Sequence, residues 1–164
     1  MTAPLPVPPP QVLTRRATRA DAPAIVALIN LYVESGTLLP RSLEFVAERA
    51  HDFIVAVDRG RITGCVHLDE YAPSLAEVRS LAVALDQHGR GIGRALVGAL
   101  ETLARAREYT TIFAVSNDGE FFNRLGYFER NIPELDRERS AVSRFKGVYA
   151  KDILPTDARP DAHT

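Results

Sequence analysis

Three glycines at alternate positions mark the part of this chain best suited to chemistry. They stand at 89, 91 and 93 in Gln87-His88-Gly89-Arg90-Gly91-Ile92-Gly93, directly after the apolar run Leu81-Ala82-Val83-Ala84-Leu85. A segment with Ile92, Leu96, Leu100, Leu103 and Ala104 on one helical face follows at once. Glycine lets the backbone approach a ligand with no Cβ in the way, so successive amides can point outward together. A helix start adds free N–H groups and a partial positive charge. Together these make a diphosphate cradle, with Arg90, Ile92 and Arg94 around it. The plainer reading is a structural turn. Two nucleotide motifs fail on spacing. A Walker A loop requires Gly-Lys-Ser/Thr, and Gly93 is followed by Arg94-Ala95. A dinucleotide fingerprint requires a glycine where Arg94 or Leu96 stands.

A second set of residues is cationic. Arg41 follows an apolar run in Gly36-Thr37-Leu38-Leu39-Pro40-Arg41-Ser42; Arg79 sits in Glu77-Val78-Arg79-Ser80-Leu81-Ala82-Val83; Arg144 and Lys146 flank Phe145 near the end. Brought together, these regions suit a ligand with carboxylates, because a guanidinium fork binds a carboxylate through two hydrogen bonds. Taken singly, each is an ordinary solvated charge. The lone cysteine, Cys65, excludes an internal disulfide and reads as a small core residue. His67 lies two positions on, facing either a cleft or the core. The four histidines show no ligand spacing, so no metal is expected.

The elements that must position these groups follow from periodicity. Val12–Ala17 reads as a strand. Thr18 and Asp21 form a capping-box-like start before a helix with Pro23, Ile25, Leu28, Ile29 and Tyr32. Ser42 caps a short helix through Leu43, Val46 and Ala50. Phe53–Val57 and Ile62–Leu68 form a hairpin turning at Gly60. A strand from about Ala76 to Leu85 leads into the glycine turn and long helix. Thr111–Val115, a helix over Gly119–Leu125, and a last strand over Gly147–Ile153 complete the order. Hairpins first and a strand–helix–strand crossover later predict an α/β (α+β) domain. Its sheet is mixed, mostly antiparallel and flanked by helices.

The chain has 164 residues, 46% of them apolar, which is enough for one core. Its net charge of −1 gives no field that would attract nucleic acid or an anionic membrane. No apolar run approaches the ~20 residues of a membrane span, and residues 1–11 lack the features of a secretory signal, so a cytoplasmic protein is expected. Five prolines within residues 4–10 predict a disordered leader over 1–11, a domain over 12–154 and a tail over 155–164.

The glycine turn, following a Leu-Ala-Val strand and heading a helix, resembles the phosphate loop of the GNAT N-acetyltransferase family, Gln/Arg-x-x-Gly-x-Gly/Ala. His88, Gly91 and Gly93 stand at the matching positions, with His88 replacing Gln/Arg. A second family element, an aromatic pair followed by Gly-aromatic, is present as Phe121-Phe122-Asn123-Arg124-Leu125-Gly126-Tyr127. The resemblance implies acetyl-CoA as co-substrate, held by Leu81, Ala82, Val83, the 88–94 loop and Phe122. It also implies a bulge within Ser80–Val83 and a splayed strand pair beside it. Glu77 would act as general base, or else serve Arg79 as a strand carboxylate. The family's usual tyrosine acid is Phe122 here, which leaves Ser116 as a substitute or as a helix-capping hydroxyl. The Leu-Leu-Pro-Arg-Ser segment and the Glu-x-Arg-Ser strand further resemble the acetyltransferase domain of N-acetylglutamate synthases. By position, Arg41 and Arg144 would hold glutamate carboxylates, with Arg79, Ser80 and Lys146 beside the acceptor. Other amine acceptors, or a non-catalytic acetyl-CoA sensor, are the alternatives; the fold also admits a homodimer.

Overall fold

The computed structural model describes residues 12–135 and 146–154. The leader, the tail and Arg144 lie outside the described residues. In chain order the elements are β1 (Leu13–Arg16), α1 (Ala22–Asn30), α2 (Leu43–Glu48), β2 (Phe53–Asp58), β3 (Arg61–Ala72) and β4 (Leu75–Val83). There follow α3 (Ile92–Ala106), β5 (Thr111–Ser116), α4 (Gly119–Arg124), β6 (Phe128–Glu129) and β7 (Gly147–Asp152). The strands make one sheet of order β1-β2-β3-β4-β5-β7-β6, antiparallel except where β4 meets β5.

The expected elements are present, with shifted ends. β3 runs on to Ala72 because Asp69 and Glu70 still pair with Glu77 and Ala76; two adjacent acids hide that extension from a search for apolar alternation. β4 ends at Val83, since Leu85–Gln87 form a 3-10 turn and Ala84 N donates to Thr63 O. α1 stops at Asn30, and Tyr32 belongs to the turn beyond it. α2 ends at Glu48, with Ala50 in a separate short turn. β6 was not expected; two residues are too few to show a period. The hairpin turns at Arg59 and Gly60, both with positive φ (50° and 79°), which favours the twist of the flanking strands. Thr18 N donates to Asp21 Oδ2 at 2.7 Å, so the expected capping pair closes, on the 3-10 turn just ahead of α1.

Two apolar layers cover the sheet. On one side Ile54, Val66, Leu68, Ala76, Val78 and Ile112 pack against Ile92, Leu96 and Leu100 of α3. On the other, Phe53, Val55 and Cys65 pack against Ile25, Ile29 and Val46 of α1 and α2. Central strands buried on both faces read as continuous apolar runs, as β2 does. Behind the first layer, Glu101 of α3 accepts from Tyr127 Oη (3.0 Å) and from Lys151 Nζ of β7 (3.0 and 3.1 Å), and Lys151 also donates to Leu125 O. This satisfied polar triad fixes the long helix to the far strand.

Candidate functional site

The site begins with a strand pair that parts. β4 and β5 are paired only through Leu75–Thr111, Ala76–Ile112 and Glu77–Phe113, although β4 continues to Val83 and β5 to Ser116. Beyond Glu77 the edge of β4 therefore faces an opening. On its other side β4 carries a bulge. Cys65 pairs with Ala82 and His67 with Arg79, so Ser80 and Leu81 together oppose Val66. Ser80 has φ +53°, in the left-handed region, and the thiol of Cys65 donates to its carbonyl at 3.4 Å. The expected bulge and splay are both present. Leu81 and Val83 lean toward the α3 layer, and Ala82 toward α1.

The glycine loop lies at the end of the opened strand. Gly89 and Gly91 have φ of +81° and +76°, and Gly91 is the N-cap of α3, with no side chain capping it. A Cβ on either glycine would meet nothing within 4 Å, so the space before the loop is open and its backbone is reserved by conformation alone. Gly93 is close-packed: a Cβ there would stand 3.3 Å from Phe121. Gln87 is buried and accepts from Arg90, whereas Arg90 and Arg94 are themselves exposed. His88 Nε2 lies 2.8 Å from Tyr32 Oη, which donates to Val83 O at 2.6 Å. His88 thus serves as a brace between the loop, β4 and the end of α1. The loop can hold a diphosphate through main-chain donors and the α3 terminus.

The face toward α1 and α2 carries the charged set. Arg79 Nη1 donates to Asp69 Oδ2 at 3.1 Å, and its Nε lies 3.9 Å from Glu77 Oε2. Asp69 and Glu77 sit opposite each other across the strands, and Arg79 offsets their repulsion. Glu77 is 5% exposed at the last paired position before the splay. Arg41 lies with its guanidinium 5.0 Å from the Phe45 ring, whose edge meets His67; His67 stacks on Phe53 at 4.4 Å. Burial, and then the nearby Arg79 and Arg41 charges, push the His67 imidazole down to about 4 against the pull of Asp69 and Asp52. Lys146 Nζ donates to Thr37 O at 3.4 Å, joining the start of β7 to the segment that carries Arg41. Of the expected cations, Arg41, Arg79 and Lys146 thus border one face.

Ser116 ends β5, and its Oγ accepts from Asp118 N at 2.9 Å; Asp118, not Ser116, caps α4 by accepting from Phe121 N. Phe122 is buried in the α3-side core among Phe121, Tyr127 and Tyr149.

Known proteins share this arrangement. Residues 49–129 match the acetyltransferase (GNAT) domain family. An uncharacterized N-acetyltransferase of Chlorobaculum tepidum is 37% identical over 123 residues, covering 75% of this chain and 79% of that protein. The amino-acid acetyltransferase of Mycobacterium tuberculosis is 34% identical over 120 residues, 71% and 68% of the two chains. This chain belongs to the GNAT acetyltransferase family. The N-acetylglutamate synthase of Neisseria gonorrhoeae, solved with coenzyme A and N-acetyl-glutamate, superposes with a TM-score of 0.79 at 28% identity, over 88% of this chain but only 36% of that longer one.

Three residues of this GNAT acyltransferase were missed as contributors to the site. Gly64 of β3 admits the first turn of α3: a Cβ there would lie 2.9 Å from both Ile92 and Leu96. Its signal was a lone glycine inside a strand, which marks close backbone approach. Tyr32 was read as a helix-face residue, yet its hydroxyl ties down Val83 while its carbonyl accepts from Thr37 N and Leu38 N. Cys65, read as core, also satisfies the bulge carbonyl. Among the described residues no group of three or more His, Cys, Asp or Glu could hold a metal ion, and no helix is long and apolar enough to cross a membrane.

Proposed function

We propose that this acetyltransferase moves the acetyl group of acetyl-CoA to the α-amine of a small acidic amino acid, with L-glutamate the first candidate. The reading is carried by one observation: Arg41, Arg79 and Lys146 border the face that opens at the β4–β5 splay, where the glycine loop ends the same strand. Relatives called amino-acid acetyltransferases, and the CoA-bound synthase neighbour, support it. The loop amides and α3 terminus hold the diphosphate, and Leu81–Val83 lie along the pantetheine. The bulge presents a fixed N–H toward the thioester carbonyl, stabilising the oxyanion that forms when the amine adds. Arg41 and Lys146, with Arg144 beyond the described residues, take the carboxylates. Arg79 and Ser80 border the acceptor, and Arg79 keeps Asp69 and Glu77 compatible. Glu77, at the parting point, accepts the proton the ammonium must lose, through water.

The test is an assay of thiol release from acetyl-CoA with purified protein across acidic, neutral and basic amino acids and polyamines. Glutamate is expected to give the highest kcat/KM. Turnover of a polyamine without turnover of any acidic amino acid would remove the acidic acceptor.

A further inference from the structure

We propose that Tyr149 of β7 supplies the proton taken up by the departing thiolate, an assignment that rests on the acetyl-transfer reading above. Of the five tyrosines, Tyr32 donates to Val83 O, Tyr109 to Glu70 and Tyr127 to Glu101, and Tyr71 packs edge-on to Phe113 in the separate cluster around Leu75 and Ile132. The Tyr149 hydroxyl makes no hydrogen bond among the described residues, although the side chain is half-buried. A phenol that no described acceptor engages has its proton free to give to a ligand that reaches it.

Its place supplies one. Tyr149 pairs with Ala114 of β5 and so shares the α3-side face of the sheet, the face on which the glycine loop heads its helix. The ring lies nearly parallel to Phe122 (12°, centroids 6.3 Å apart) and reaches toward the end of β5. The hydroxyl comes to rest against two glycines, Gly119 at the start of α4 and Gly147, the register partner of Ser116. A Cβ on Gly147 would stand 2.7 Å from the hydroxyl oxygen, and one on Gly119 would overlap it. Two chain segments are therefore stripped of side chains where one phenol passes. That point lies past Phe113, the last β5 residue paired with β4, alongside the open stretch of the splay.

The chemistry has a place for such a group. As the amine lone pair forms the C–N bond and the tetrahedral adduct collapses, the C–S bond breaks and its electron pair stays on sulfur. The phenol proton passes to that sulfur, giving free thiol. The phenolate regains a proton from one of the two the ammonium gives up, and the second leaves to solvent. Phenols ionise at about pH 10 and aliphatic thiols at about 8.5, so the transfer is close to balanced. The rival donor is Ser116, which accepts from Asp118 N and keeps its own proton, but an alcohol is a far weaker acid than a phenol.

Tyr149→Phe tests this cleanly. It keeps the ring on Phe122 and removes a hydroxyl with no described partner, so the melting temperature should not move. With the best acceptor, kcat should fall by roughly 10²-fold, while the KM for acetyl-CoA stays within about twofold. A second readout needs no turnover: the thiolate absorbance of bound CoA, titrated with pH. Loss of the phenol donor should raise the apparent ionisation of the bound thiol by about one unit. Asp118 and Glu120 at the start of α4, Glu129 of β6, Lys146 just before β7 and Lys151 within it are common to both proteins and cancel in that difference. An unshifted thiol overturns the assignment whatever happens to kcat, and so does an unchanged kcat. Should the parent bind CoA yet acetylate no amino acid, the acceptor reading falls, and the thiol titration still decides Tyr149.

Discussion

The two faces of the sheet at the splay are built on different principles. Toward α3 the site is main chain: two glycines at positive φ, a helix terminus with no side-chain cap, and a bulge at Ser80. Its residues lie within one stretch from Ser80 to Arg94. Toward α1 and α2 the site is side chain, gathered from four separate segments: Arg41, His67 with Asp69, Glu77 with Arg79, and Lys146. A main-chain site suits a ligand every family member shares, because any sequence that keeps the conformation keeps the donors. A side-chain site can be rewritten one residue at a time, which suits the acceptor preference proposed for this face.

Glu77 stands where the two faces meet, and it offers the sharpest break between them. Glu77→Gln is expected to lower kcat by roughly 10²-fold or more, the scale of lost general-base catalysis, with CoA affinity unchanged. An unchanged kcat would leave Glu77 only the task of holding Arg79. Gly91→Val should act on one face alone. A β-branched residue at φ +76° costs about 1–2 kcal/mol of strain and puts a side chain where the diphosphate is proposed to lie. The strain lowers stability, and CoA should bind at least about tenfold more weakly by calorimetry because the new side chain blocks the loop amides. The acceptor KM should barely respond. Arg41→Ala is the mirror test: about tenfold higher acceptor KM, as for loss of one charge-assisted hydrogen bond, and an unmoved KM for acetyl-CoA. Equal effects of either change on both substrates would dissolve the distinction between the faces.

The same contrast explains what could be read before folding. The glycine spacing suggests a cradle because its donors would be consecutive amides, and amides are in every residue. The bulge and splay were expected only through the resemblance of that loop and its Leu-Ala-Val strand to the family's phosphate loop, and the order of the strands was not foreseen. The charged face was legible only as a list of cations in Leu-Leu-Pro-Arg-Ser, in the Arg79 strand and at Lys146. Nothing local says that Arg79 is shared by Asp69 and Glu77, because Asp69 lies in the polar extension of β3 whose alternation had lapsed. Gly64 and Tyr32 were missed for a related reason, although a lone strand glycine marks close approach: each acts through a contact with a distant segment, Ile92 in one case and Val83 in the other. Local periodicity carries no information about such pairs.

The smallest expected effect concerns His67, the one titratable ring in the side-chain face that is almost wholly buried. Its folded-state pKa, about 4, lies below the unfolded value near 6.5, so the folded protein holds the ring neutral. Above pH 6.5 both states are neutral and the group leaves stability unchanged. As pH falls from about 6.5 toward 4 the unfolded chain takes up a proton that the folded chain refuses, and stability is lost across that window. Asp21 adds acid sensitivity of its own, since the Arg15 hydrogen bond holds its carboxyl below the usual range. A His67→Phe variant separates the two: it keeps an aromatic ring on Phe53 and removes the titrating nitrogen. The fall in melting temperature between pH 7 and pH 5 should shrink by a few degrees in that variant, and Asp21, whose window lies at and below 3.8, is silent over that range. An identical fall would show that the ring takes up its proton as readily folded as unfolded. That would mean the α1-side face admits water as freely as the glycine loop does.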